Sequence, residues 1–105
     1  MKIEKSFDSE KNAWVFRPFG YIDLYNAPVF RAALEEARNV NIILSCEELA
    51  YIDSAGLTVL RDVLQERQAA GCFVKICRLR SYLYRIFELT GFHKVFDIQD
   101  VEEAE

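Results

Sequence analysis

Two apolar stretches separated by a long amphipathic one restrict this chain more than any other feature. Val40 to Cys46, with Ile42-Ile43-Leu44 at its centre, and Cys72 to Cys77 both read as β-strands. Between them, from about Ser54 to Ala70, Leu57, Leu60, Val63 and Leu64 form one buried helical stripe, and Gly71 supplies a left-handed stop. A strand, a helix and a strand in that order predict parallel neighbours joined by a right-handed crossover. The unbroken Ile42-Ile43-Leu44 run suits a strand covered on both faces.

The flanking segments extend this unit. Residues 2–7 and 13–19 read as two strands of a hairpin, turned by Asp8-Ser9-Glu10-Lys11-Asn12, with Gly20 breaking the pattern. Asn26 is placed to cap a first helix, and Pro28 fits its first turn, where a missing N–H costs nothing. Phe30, Ala33, Leu34 and Ala37 share its buried face; Arg31, Glu35 and Arg38 line the wet side, and Asn39 can end it in a left-handed turn. Glu47 to Ala50 lead on to an apolar strand end at Tyr51-Ile52. A third helix from about Ser81 buries Leu83, Ile86 and Phe87 and stops at Gly91, and Val95 to Ile98 suits a last short strand. The expected order is β-β-α-β-α-β-α-β: an α/β fold with a mixed sheet and packed helices, one domain over residues 1–105, with an acidic tail fraying from about residue 99.

Composition narrows the function. A chain of 105 residues buries roughly two-thirds of its unfolded surface, enough for a core without metals or disulfides. Net charge is −4, and Asp97 to Glu105 hold five acids, which argues against direct nucleic-acid binding. The basic positions Lys75, Arg78, Arg80 and Arg85 read as solvated side chains rather than a partner patch. Cys46, Cys72 and Cys77 lack the spacing of a disulfide framework or zinc site and read as small buried hydrophobes in a reducing cytosol. The charged start Met1-Lys2-Ile3-Glu4-Lys5 is unlike a signal peptide, and no apolar run reaches the ~20 residues of a membrane span. A cytoplasmic location without membrane insertion is therefore expected.

Chemistry centres on Tyr51-Ile52-Asp53-Ser54-Ala55-Gly56-Leu57, which sets Ser54 at or beside a helix N-terminus. A serine there can be a plain cap, a nucleophile or a phosphate acceptor. A nucleophile needs a base; His93 is the one histidine, and there is no G-x-S-x-G elbow, so no catalytic residue is assigned. A phosphate at a helix start is tolerated by the helix dipole, so esterification can block docking without unfolding the chain. Asp23 and Asp53 lie in loops that can converge, as a pair that holds a divalent cation or shares a proton, or simply as turn and helix caps. Gly56 in a first helical turn hints at close approach by another backbone. There is no Gly-rich phosphate cradle, no metal-ligand spacing and no cofactor motif.

The chain resembles the STAS domain family, in particular the single-domain bacterial anti-sigma factor antagonists. Gly20-Tyr21-Ile22-Asp23, Asn26-Ala27-Pro28, Tyr51 to Leu57, and Leu89-Thr90-Gly91-Phe92 with Val95-Phe96 carry the resemblance in order along nearly the whole chain. It implies that Ser54 is phosphorylated by a GHKL-type serine kinase that doubles as the anti-sigma factor, and that a serine phosphatase reverses this. It further implies that Gly20, Tyr21, Asp23, Asp53, Ala55, Gly56 and Leu57 form the partner-binding surface, and that the chain is a substrate, not an enzyme. Tyr21 stands where many relatives carry an acid, and Ala55 leaves Ser54 as the motif's one hydroxyl. A STAS scaffold that is never phosphorylated, or a soluble subunit of a lipid transport system, is the alternative the resemblance leaves open.

Overall fold

Alternating apolar residues in the strands need a cover, and the three helices supply it from one side. In the computed structural model, which describes residues 1–37 and 39–102, the elements are β1 (Ile3–Asp8), β2 (Ala13–Pro18), β3 (Gly20–Ile22), α1 (Ala27–Glu35), β4 (Asn41–Ser45), β5 (Leu49–Ile52), α2 (Ser54–Ala69), β6 (Val74–Cys77), α3 (Ser81–Thr90), a 3-10 turn (Phe92–Lys94) and β7 (Asp97–Gln99). Five strands form one mixed sheet in the order β1-β2-β4-β6-β7. β1 runs antiparallel to β2, and the remaining pairs are parallel. The parallel relation expected on either side of α2 is present, with Ile42 opposite Val74 and Leu44 opposite Ile76.

Phe16, Ile42, Leu44, Val74 and Ile76 belong to one core cluster with Phe30 and Leu34 of α1, Leu60 and Val63 of α2, and Leu83 and Phe87 of α3. Each such side chain contributes about 1.5–3 kcal/mol when fully buried. Since successive strand residues point to opposite faces, all three helices lie on one side of the sheet. Val15, Ile43, Ser45, Lys75 and Cys77 point to the other. The expectation that the Ile42-Ile43-Leu44 run is covered on both faces is therefore corrected. Ile43 and Ser45 are each only 6% exposed, yet no helix covers them. The hollows on that face are lined instead by Arg17, Glu47, Lys75 and Arg78, long side chains whose stems shield apolar surface.

The strand count also differs from expectation. Gly20 to Ile22 and Leu49 to Ile52 are not only connections; they pair in parallel as a separate two-stranded ribbon. Three residues are too few to display a period, so β3 was invisible to pattern reading.

Helix α1 ends at Glu35, earlier than expected, and Asn39 takes the left-handed φ of 57° four residues later. Arg31, expected on the wet side, instead ties α1 to α2 through Asp62 at 2.7 Å and also reaches Glu35 and Glu66. Arg67 of α2 is buried and donates to the Leu34 carbonyl at 2.9 Å, placing a cation at the C-terminal end of α1. Arg38 lies outside the described residues. Where the tail was expected to fray, the chain is held as far as Glu102: its amide donates to the Leu79 carbonyl, its carbonyl accepts from the Ser81 amide, and its carboxylate meets Arg78. Residues 103–105 lie outside the described residues.

At the carboxyl edge of β4, Glu47 gathers an ionic cluster. Its carboxylate accepts from Ser45 Oγ at 3.1 Å and pairs with Arg17 at 3.2 Å and Arg78 at 2.6 Å, while its backbone carbonyl accepts from Arg80 at 2.7 Å. Arg17 also pairs with Glu4 of β1. Burial acts to raise the Glu47 pKa, but the hydrogen bonds from Ser45 and Arg17 and the charges of Arg78 and Arg17 outweigh it, and the net shift is downward. A carboxylate with a lowered folded pKa contributes stability that is complete above its unfolded pKa of about 4.3 and is lost as pH falls through the folded value. Replacing Glu47 with Gln is expected to cost about 1–2 kcal/mol at pH 7. In urea titrations the gap between the native protein and E47Q should narrow as pH falls below about 4; a gap independent of pH would contradict this role.

Candidate functional site

The β3–β5 ribbon exists to deliver two loops to one place. Ile22 and Ile52 pair across it and point inward, both fully buried, while Tyr21 and Tyr51 pair outward with ring centroids 6.2 Å apart. The next residues in each chain are Asp23 and Asp53. The Asp53 amide donates to the Ile22 carbonyl at 3.0 Å, so the ladder continues into the site.

Asp53 is the N-cap of α2. Its Oδ1 accepts from the amides of Ala55 (2.9 Å) and Gly56 (3.1 Å), and its Oδ2 accepts from the Leu24 amide at 3.1 Å. One carboxylate thus starts the helix and clamps the neighbouring loop to it. Asp23 closes its own turn: Oδ1 accepts from the amides of Tyr25 (3.0 Å) and Asn26 (3.1 Å). Asn26 occupies the N-cap position of α1, but its side chain does not cap the helix. It accepts from the Asp23 amide and donates to the Tyr21 carbonyl, both at 2.8 Å, which locks the β3–α1 loop. The two aspartates therefore converge, each engaged by backbone N–H groups.

Ser54 follows the cap as the first residue of α2 and is exposed. The cap reading of this serine is corrected, because Asp53 already holds the amides that a capping serine would take. Among the described residues no hydrogen-bond partner faces its hydroxyl, which therefore carries no part of the fold. His93, the one candidate base, lies elsewhere. Its Nδ1 is 3.4 Å from the Phe87 carbonyl and its ring packs edge-on to Tyr84, near the far end of α3. A Ser54–His93 pair does not form. Among the described residues no group of three or more His, Cys, Asp or Glu side chains is placed to hold a metal ion, and no helix is long and apolar enough to cross a membrane.

Of the residues expected on a partner-binding surface, Tyr21 is exposed, and Gly20, Asp23, Asp53 and Ala55 are half-buried. Gly56 and Leu57 are buried and have no surface to offer a partner; they seat the helix. A Cβ on Gly56 would lie 2.7 Å from both Ile22 Cγ2 and Ile52 Cγ1. The close approach expected at this glycine is thus real, but it is made by two core side chains and not by another backbone. Gly20 has φ +80°, a conformation that favours glycine, at the bulge where β3 begins.

Residues that sequence reasoning passed over complete the rim. Leu24 is 69% exposed, Tyr25 90% and Tyr51 44%, beside Tyr21 at 62%. Exposed aromatic and aliphatic side chains grouped in this way make a candidate surface for contact with another molecule. The signal was available: Leu24-Tyr25 is an apolar pair in a turn, where polar residues are usual. A groove lined by Leu24, Ala27, Pro28, Arg31 and Val59 continues the apolar surface between α1 and α2. From behind, α3 steadies the ribbon: the Tyr82 hydroxyl donates to the Ala50 carbonyl at 3.1 Å.

The family model described as the STAS domain matches residues 5–104. An anti-sigma-B factor antagonist of Bacillus subtilis (strain 168) is 33% identical over 89 residues, covering 81% of this chain and 80% of that protein. A Thermotoga maritima crystal structure, provisionally assigned as an anti-sigma factor antagonist, superposes with a TM-score of 0.82 at 20% identity, over 94% of this chain and 86% of that one. The Bacillus cell fate determinant SpoIIAA in its phosphorylated form gives a TM-score of 0.69 at 18% identity, over 99% and 92% of the two chains.

Replacing Gly56 with Ala is expected to destabilise the protein by about 1–3 kcal/mol, the usual cost of overpacking a core. The measurement is the urea midpoint. In the double variant G56A/I22A, which removes the obstructing Ile22 Cγ2, the loss should be smaller than the sum of the two single-variant losses; strict additivity would contradict the steric assignment.

Proposed function

The chain belongs to the STAS domain family, and on that premise we propose that it is an anti-sigma factor antagonist whose docking is controlled by phosphorylation of Ser54. The observation that carries the reading is the division of labour at the start of α2. Asp53 performs the capping, and Ser54 presents an exposed hydroxyl with no internal duty. Esterifying that oxygen breaks no hydrogen bond of the fold.

In this reading the unmodified surface of Tyr21, Leu24, Tyr25 and Tyr51 around Ser54 docks against an anti-sigma factor that is itself a serine kinase of the GHKL type. Binding releases the sigma factor. When the kinase acts, Ser54 Oγ attacks the γ-phosphorus of ATP, the bond from that phosphorus to the bridging oxygen breaks, ADP leaves, and a base on the kinase takes the hydroxyl proton. The new group brings about −1.5 to −2 charges. It stands beside the carboxylates of Asp53 and Asp23 and amid apolar surface, where a docked partner would have to desolvate it. The positive end of the α2 dipole offsets part of that charge, so the fold persists while the complex does not. A serine phosphatase restores the docking form by hydrolysing the ester to serine and inorganic phosphate. The chain is the substrate throughout. The likeness in fold to SpoIIAA, a protein that occurs in a phosphorylated form, supports the reading.

Incubation with the cognate kinase and ATP should place one phosphate on the chain, at Ser54 by mass spectrometry, and S54A should accept none. S54D should keep the native circular dichroism and urea midpoint while weakening kinase binding at least tenfold by titration calorimetry. Undiminished labelling of S54A, or full-affinity binding by S54D, would defeat the proposal.

A further inference from the structure

The helix-free face of the sheet holds a hollow unrelated to Ser54. It has a volume of about 440 Å³ and is lined by Lys11, Ile43, Phe73, Lys75, Cys77, Arg78, Gln99 and Asp100. Its floor is apolar: Ile43 on the central strand and the Phe73 ring, over which the Lys75 ammonium sits 4.5 Å from the centroid. Its rim is cationic. Lys11, Lys75 and Arg78 face one lining carboxylate, Asp100.

Arg78 is already shared between Glu47 at 2.6 Å and Glu102 at 3.0 Å. The two lysines are not spent in this way: among the described residues neither forms an ion pair. Asp97, opposite Lys75 in register, accepts from Gln99 Nε2 at 3.3 Å. The half-buried Cys77 thiol has its pKa pushed up, chiefly by burial, and adds no negative charge at neutral pH. A chain of net charge −4 thus keeps a locally cationic cup with a hydrocarbon floor.

We infer that this hollow is a binding site for a small aromatic carboxylate, its ring on Ile43 and Phe73 and its carboxylate between Lys11 and Lys75. Concave apolar sites with a few convergent polar groups are the usual form of small-molecule pockets. Two ammonium groups outside any ion pair, with the carboxylates of Asp100 and Asp97 nearby, suit a monoanion better than a phosphate, whose second charge would meet those carboxylates.

The test is an amide-resolved NMR titration of the full chain with sodium 2-naphthoate, with neutral 2-naphthamide as control. Saturable shifts should appear at Ile43, Phe73, Lys75, Cys77 and Gln99, and the amide should bind at least fivefold more weakly. Charge reversal in K75E should weaken naphthoate binding at least tenfold. K11E lies in an exposed turn and leaves the sheet intact, so it should give a similar direction of effect even if K75E perturbs folding. The inference is overturned if naphthoate and naphthamide bind equally, if K11E binds undiminished, or if the shifts fall on Tyr21, Tyr25 and Tyr51 instead, which would mean adsorption to the exposed aromatic surface.

Discussion

Everything at the site depends on the Asp53 carboxylate. Two of its acceptor positions hold the first free amides of α2, and a third holds the Leu24 amide of the other loop. Charge-assisted hydrogen bonds to backbone N–H groups are stronger than neutral ones, and at a helix N-terminus they gain from the dipole as well. The same group therefore sets where the helix begins and where the Asp23–Asn26 turn stands relative to it. Remove it, and the exposed serine and exposed aromatics would no longer share a frame.

That frame rests in turn on the ribbon beneath it. Among the contacts that join β3 and β5 to the body of the protein are the inward pair Ile22 and Ile52 against Gly56, the Tyr82 hydroxyl on the Ala50 carbonyl and, just before β5, Arg80 on the Glu47 carbonyl. Glu47 connects this anchorage to Arg17 on β2 and, through Arg78, to Glu102 in the tail. Several charges share this one cluster, and a network of that kind contributes more than isolated surface pairs do. A ribbon anchored at these points fits the proposed reading, in which a single added charge, and no change of shape, decides whether a partner can sit.

Much of this was readable from residue order. The parallel strands around α2 followed from a helical stripe between two apolar runs, and the helix limits at Ser54, Gly71 and Gly91 followed from capping and left-handed stops. The convergence of Asp23 and Asp53 was open to inference as well. What escaped was short or two-sided. β3 has three residues and no visible period. Ile43 looked like the inside of a doubly covered strand, because an apolar residue shielded by lysine and arginine stems reads the same as one beneath a helix. The Asn26 side chain was placed on the helix it precedes, whereas its partners lie behind it in the turn.

The sequence by itself determined the element types, the crossover and the identity of the residue at the start of α2, because hydrophobic period, glycine stops and cap preferences are local and act within a few residues of the chain. Only the tertiary structure decided that Asp53 rather than Ser54 performs the capping, that Gly56 answers to two isoleucines from different strands, that all the helices share one face, and that a cationic hollow opens on the other. Those outcomes come from contacts between residues far apart in the chain, where space and hydrogen-bond partners are allotted by packing and no local preference can foretell which group will claim them.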